Sequence, residues 1–222
     1  LILSSTPIVQ NDHSHGVTFT ALDITQRKHN ELVMQTRIRL MEFAEDHSLG
    51  ELLRETLAEA EELTHSKIGF YHFIDEKSGT ITLNQWSERT ERDFCKVMDQ
   101  FDMHYPITDA GVWVDCVKKK RPVIHNDYSS LTNRKGMPKG HAPVIRELTV
   151  PVIRNRRVKA VLGIGNKETD YNQNDVLIIS TLADLAWDIA ERMMAQEAVY
   201  VSEERFKLSM EATNDGLWLS LI

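Results

Sequence analysis

Residues 67–74, Lys-Ile-Gly-Phe-Tyr-His-Phe-Ile, are apolar at odd and even positions alike. Alternate side chains of a strand point to opposite faces, so a run of this kind has to be covered on both sides. It is expected at the centre of a sheet. The turn Asp75-Glu76-Lys77-Ser78-Gly79 follows, and residues 80–86 return as a hairpin partner. Two further strands, 147–153 and 158–165, are joined by Arg154-Asn155-Arg156-Arg157, and Pro122 enters a short strand, 122–125.

Helical periodicity surrounds these strands. A helix is expected from Gln26 to about Glu45, capped by Asp23 or Thr25, with apolar positions at Met34, Ile38, Met41 and Phe43. Ser48 caps the next, residues 49–63, whose Leu52, Leu53, Leu57, Ala60 and Leu63 share one face. Shorter helices are read over 87–100 and 110–119, the latter ending in the basic run Lys118-Lys119-Lys120-Arg121. From Asn174 a long helix runs to about Tyr200 with apolar residues at three-four spacing, a pattern suited to a helical dimer seam. Residues 126–143, dotted with Gly136, Pro138, Gly140 and Pro143, have no periodicity, and loops of that length often carry function. At the amino end, short strands are read at 1–4 and 16–22 around a polar loop.

Composition limits the functional classes. The 222 residues carry a formal net charge of −7, and no broad basic footprint for nucleic acid is evident. No apolar stretch has the length of a membrane span. Two cysteines, Cys95 and Cys116, are too few for a disulfide scaffold, which suits a reducing cytoplasm. Both ends are apolar, Leu1-Ile2-Leu3 and Leu217-Trp218-Leu219, as expected of a piece of a longer polypeptide. No GxSxG elbow, P-loop, HExxH or CxxC is present, and from that lack of catalytic motifs the chain is expected not to be an enzyme in itself.

The order of elements over residues 40–195 resembles a GAF domain: an α+β fold with an antiparallel sheet of five or six strands, helices on one face and a ligand pocket on the other. The stretch Asn166-Lys167 … Tyr171 … Asn174-Asp175 is similar to the Asn-Lys…Phe…Asp-Glu signature of cyclic-nucleotide-binding GAF domains, with Tyr171 for Phe and Val176 for Glu. Its expected role is structural, Lys167 pairing with Asp175. The text from Trp113-Val114-Asp115-Cys116 to Gly140-His141-Ala142-Pro143 is similar to a GAF subgroup of microbial sensor kinases. Residues 16–28, closing in Asp-Ile-Thr-x-Arg-Lys, resemble the end of a PAS domain, and Ser202 to Trp218 the opening of another. The resemblance implies a PAS end at 1–28, a linker helix at 29–48, a GAF domain at 49–195, and a helical linker with the start of a second PAS domain at 196–222. It further implies a two-component-type receptor, histidine kinase or alternatively cyclase, with homodimeric signalling helices and a small-molecule ligand.

Candidate ligand-binding residues follow. His72 shares a strand face with Ile68, Phe70 and Ile74, either as a pocket group or as a hydrogen-bonded core histidine. His125, Asn126, Asp127 and Tyr128 leave a strand end together, His141 lies across the loop, and Tyr105 and Trp113 offer aromatic walls. The alternative for this set is stitching of the loop to the sheet. An ion pair between Arg146 and Glu147 is expected at the loop's return. The subgroup resemblance includes haem-bearing domains, for which Cys95 and His141 are the candidate attachment site and ligand, although no CxxCH is present. A bilin on cysteine and a free methionine sulfoxide reductase are further readings. Against all of these stands a ligand-free domain that contributes only dimer geometry.

Overall fold

In a computed structural model, residues 1–9, 12–94, 111–132 and 143–214 are described. The chain divides into two compact units, Leu1–Arg39 and Leu40–Ile222. The first holds an antiparallel hairpin, β1 (Ile2–Val9) and β2 (Asp12–Leu22), in register from Ile2 opposite Leu22 to Pro7 opposite Val17. Both strands are longer than expected, because pairing continues through the polar residues read as a loop. Helix α1 (Thr25–Asp46) begins in this unit and ends in the second.

In the second unit, α2 (Leu49–Thr64) starts at a capping box: Ser48 accepts from the Glu51 amide, and the Glu51 carboxylate accepts from the Ser48 amide. Leu52, Leu53, Leu57 and Ala60 are fully buried along it. The sheet is five-stranded and antiparallel in the order β4-β3-β7-β6-β5. Its strands are β3 (Ile68–Asp75), β4 (Thr80–Trp86), β5 (Val123–His125), β6 (Glu147–Arg154) and β7 (Arg157–Gly165). β3 lies between β4 and β7 and is buried on both faces, as its residue pattern requires.

The two faces pack differently. Tyr71 and Phe73 join Leu148, Val150, Val152, Ala160, Leu162 and Ile164 against Leu53 and Leu57 of α2 and Ile179, Leu182 and Trp187 of α4 (Gln173–Asn214). Ile74 points to the other face with Val161, Val123, Cys116 and Val117. There the segment read as one helix over 110–119 is a 3-10 turn, Val112–Val114, leading into a short α3, Asp115–Lys119. Lys120 ends α3 in the left-handed region (φ 49), and Pro122 prevents its continuation. Of the helix read over 87–100, residues 88–89 are helical and run into one π turn, Thr90–Phe94; its remainder lies outside the described residues.

α4 is longer than expected. No proline or glycine occurs between Gln173 and Asn214, so nothing stops it at Tyr200, and 42 residues span about 63 Å. The sheet grips one turn of it. Tyr71 Oη donates to Ala183 O (2.9 Å), and the Arg154 guanidinium reaches Asp184 (2.7 Å) and Asp188 (2.8 Å). The Phe73 ring meets Trp187 edge-on at 5.1 Å. Among the described residues, no helix is long and apolar enough to cross a membrane.

Candidate functional site

The face of the sheet opposite α2 and α4 carries an aromatic cluster. Phe70 and His72 leave β3 on this side and stack at 4.5 Å and 25°. Trp86, at the end of β4, lies 5.7 Å from each ring, and Trp113 lies 5.7 Å from Phe70 and 5.0 Å from His72. His72 is 1% exposed, whereas Phe70, Trp86 and Trp113 are half-buried. β7 makes room for these rings by having no side chain at Gly163, which pairs with Phe70. A Cβ there would sit 2.1 Å from Phe70 Cζ, so the ring lies directly over the backbone.

A polar group stands at the β5 end. His125 Nδ1 is 2.9 Å from Glu147 Oε1 and its Nε2 is 3.8 Å from Asp115 Oδ2. Glu147 is 7% exposed and pairs in the sheet with Gly165, so it lies on the same face as Gly163 two residues earlier on β7. The expected Arg146–Glu147 pair does not form. Arg146, the residue before β6, instead donates to the carbonyls of Lys167 (2.6 Å) and Glu168 (2.8 Å).

The rest of the 125–128 set holds the loop. Asn126 forms a two-way bond with the Tyr171 backbone, Nδ2 donating to its carbonyl (3.1 Å) and Oδ1 accepting from its amide (2.8 Å). Asp127 accepts from the Ser129 hydroxyl and the Ser130 amide, and these bonds hold its carboxyl below the usual range. The Tyr128 amide donates to Ile145 O. Asn166 completes the seam by accepting from the Ile145 amide and donating to Pro143 O. Lys167 Nζ lies 2.7 and 2.8 Å from the two oxygens of Asp175, which is 3% exposed. Tyr171 Oη meets Ser66 at 2.8 Å, and burial pushes its phenol up to about 12.

Cys116 is fully buried, its thiol donates to Trp113 O (3.2 Å), and burial pushes it up to about 12. That is a packed thiol, without the thiolate character that attachment or redox chemistry needs. Cys95, Tyr105 and His141, and with them the proposed haem pair, lie outside the described residues. Among the described residues no group of three or more His, Cys, Asp or Glu side chains is arranged to hold a metal ion. Sequence reasoning missed Gly163 and the Glu147 partner of His125. The first was visible only as a glycine inside a β-branched strand, and the second requires knowledge of strand register.

Residues 46–191 match the GAF domain family. The chain belongs to that family. It is 33% identical over 185 residues to a methyl sulfide methyltransferase-associated sensor of Methanosarcina acetivorans. The match covers 80% of this chain and 18% of the length of that relative. The GAF domain of a phosphoenolpyruvate-protein phosphotransferase from Coxiella burnetii has the same fold, with a TM-score of 0.56 and 12% identity over 74% of this chain and 96% of that one. So has the free methionine-R-sulfoxide reductase of Neisseria meningitidis in complex with its substrate: TM-score 0.54 and 17% identity, over 78% of this chain and 93% of that one. The last corrects the expectation that the chain is not an enzyme. The GAF fold itself carries catalysis in that protein, so the absence of familiar catalytic motifs is no argument against activity.

Proposed function

We propose that this GAF domain is the sensory input and relay module of a multidomain receptor, taking a small molecule on the aromatic face and passing its effect to α4. The observation that supports this most is the alternation along β3. Phe70 and His72 belong to the aromatic cluster, while Tyr71 between them donates to the Ala183 carbonyl on the opposite face. A ligand that favours one arrangement of the rings shifts β3, and β3 grips α4 at one turn. The sensor name of the Methanosarcina relative agrees with a signalling role for this chain.

The finer reading extends outward from this module. Residues 1–28 and 196–222 would be PAS ends, and the parent a two-component-type kinase. Exposed Val199, Tyr200, Phe206 and Leu208 on α4 suit a homodimeric helical seam. One observation favours a relay without ligand: the Phe70 ring already fills the space over Gly163. Titration of a metabolite panel, haemin included, followed by tryptophan fluorescence and visible absorption, separates the two. Saturable quenching by one compound, with dimerisation in a dilution series, is the expected result. A chain that binds nothing and stays monomeric contradicts the proposal.

A further inference from the structure

A second concave surface lies at the turn end of the sheet, where the β3–β4 turn, the carboxyl end of α3 and the β6–β7 turn meet. It is an open groove of about 360 Å³ lined by Glu76, Lys77, Lys120, Asn155, Arg156 and Arg157. That volume falls within the range of small-molecule sites. The lining carries four cations and one carboxylate in a chain whose formal net charge is −7.

Its walls are fixed. Lys120 Nζ lies 2.6 Å from Glu76 Oε1 and donates to Arg156 O (2.9 Å), while the Val158 amide donates to Glu76 Oε2 (2.8 Å). These bonds hold the Glu76 carboxyl below its usual range, so it stays charged and keeps Lys120 in place. Lys77, Arg156 and Arg157 remain as exposed cations around this anchored pair.

The backbone adds an independent observation. Lys120 (φ 49) ends α3 and Arg156 (φ 62) follows Asn155 (φ 52) in the hairpin turn, all in the left-handed region. Glycine is the low-strain residue after a helix and at the second position of an Asn-Gly type turn. Cations occupy both places instead, and both line the same groove. Outliers of this kind motivate a functional reading of their side chains, although His65 (φ 56) ends α2 the same way outside the groove.

We infer that this groove is a binding site for the phosphate groups of a phosphorylated small molecule. Guanidinium forks and lysine ammoniums are the side chains that recognise phosphate, and three positive charges beyond the Glu76 pair call for a multiply charged anion. The cations are confined to three turns, which suits a compact polyphosphate better than the extended backbone of a nucleic acid.

The test is calorimetric titration of the intact chain with inorganic phosphate, tripolyphosphate and a glutamate oligopeptide at low ionic strength. The probing variant is Arg156→Gly with Arg157→Thr, since glycine suits φ 62 and threonine suits a strand start. Lys67→Ala is the control, because Lys67 precedes β3 and lies at the opposite end of that strand, about 26 Å away at ~3.3 Å per residue. Saturable tripolyphosphate binding is expected, at least about tenfold tighter than phosphate, with screening by salt. The double variant should weaken it about tenfold or more and the control should not. Three results overturn the inference: no saturation by about 1 mM tripolyphosphate, equal loss in the control, or tighter binding of the glutamate peptide.

Discussion

Replacing Gly163 with alanine places a methyl carbon 2.1 Å from Cζ of Phe70, 2.3 Å from Cε1 and 2.8 Å from Cε2. The strand on either side is paired with β3 and β6, so backbone displacement is resisted and the ring has to move. Ordinary carbon–carbon contact begins near 3.5 Å, so the ring tip must move outward by about 1.5 Å. That displacement separates Phe70 from His72, on which it now stacks at 4.5 Å, and from Trp86 and Trp113. Overpacking of this kind costs about 1–3 kcal/mol, offset by roughly 0.5–1 kcal/mol from loss of glycine's freedom in the unfolded chain. The net loss, about 1 kcal/mol and at most about 2.5 kcal/mol, corresponds to a fall in Tm of about 2–4 °C and at most about 10 °C for a chain of this size. Thermal unfolding reads the stability, and the change in near-ultraviolet circular dichroism, to which Trp86 and Trp113 contribute among four tryptophans, reads the ring displacement. Trimming the ring in the same background, Phe70→Leu with Gly163→Ala, should be less destabilising than the sum of the single changes. An unchanged Tm with an unchanged aromatic signal in Gly163→Ala would mean that the ring does not lie over this strand.

Lys167→Ala leaves the Asp175 carboxylate buried without its cation, and a loss of about 3–5 kcal/mol is expected by urea denaturation. Lys167→Met with Asp175→Leu should lose clearly less. Cys116, with its thiol raised to about 12, should resist iodoacetamide at pH 8 in a Cys95→Ser background and react once the chain is unfolded. Burial raises the Glu61 carboxyl, which accepts a hydrogen bond from Ser87. The folded state therefore binds that proton more tightly than the unfolded state, and stability from this group grows as pH falls through the folded value. Glu61→Gln should match or exceed the wild type at pH 7–8, and that relative advantage should vanish toward about pH 4.5. Tyr71→Phe keeps the ring and removes one donor, for an expected loss of about 1 kcal/mol.

Much of this fold was legible because burial on both sides writes itself into a strand. Residues 68–74 alternate between two apolar sets, and from that alone follow a central position for β3 and a covered second face. The α2 cap was equally plain, Ser48 standing three residues before Glu51. The end of α4 was misplaced because propensity offers no stop signal before Gly216. At the site, the shared face of His72 and Phe70 followed from period two, but neither Trp86 nor Gly163 could be assigned to it without register. His125, Asn126, Asp127 and Tyr128 were read as a set, and adjacency in sequence was misleading there. His125 turns to Glu147 while Asn126 and Asp127 engage backbone amides, because the chain leaves β5 and curls after His125. The Arg146–Glu147 pair failed because Arg146, just before β6, is taken up by the Lys167 and Glu168 carbonyls while Glu147 meets His125.

β3 joins the aromatic face to α4 through Phe70 and His72 on one side and Tyr71 on the other. Amide hydrogen exchange over residues 183–188, compared among the wild type, Gly163→Ala and Gly163→Ala with Tyr71→Phe, tests that link. None of those amides touches the aromatic cluster. Displacing Phe70 should speed exchange in this turn of α4, and removing the Tyr71 hydroxyl should abolish the added effect of Gly163→Ala. Exchange that changes only around the aromatic cluster, with residues 183–188 untouched, contradicts that link.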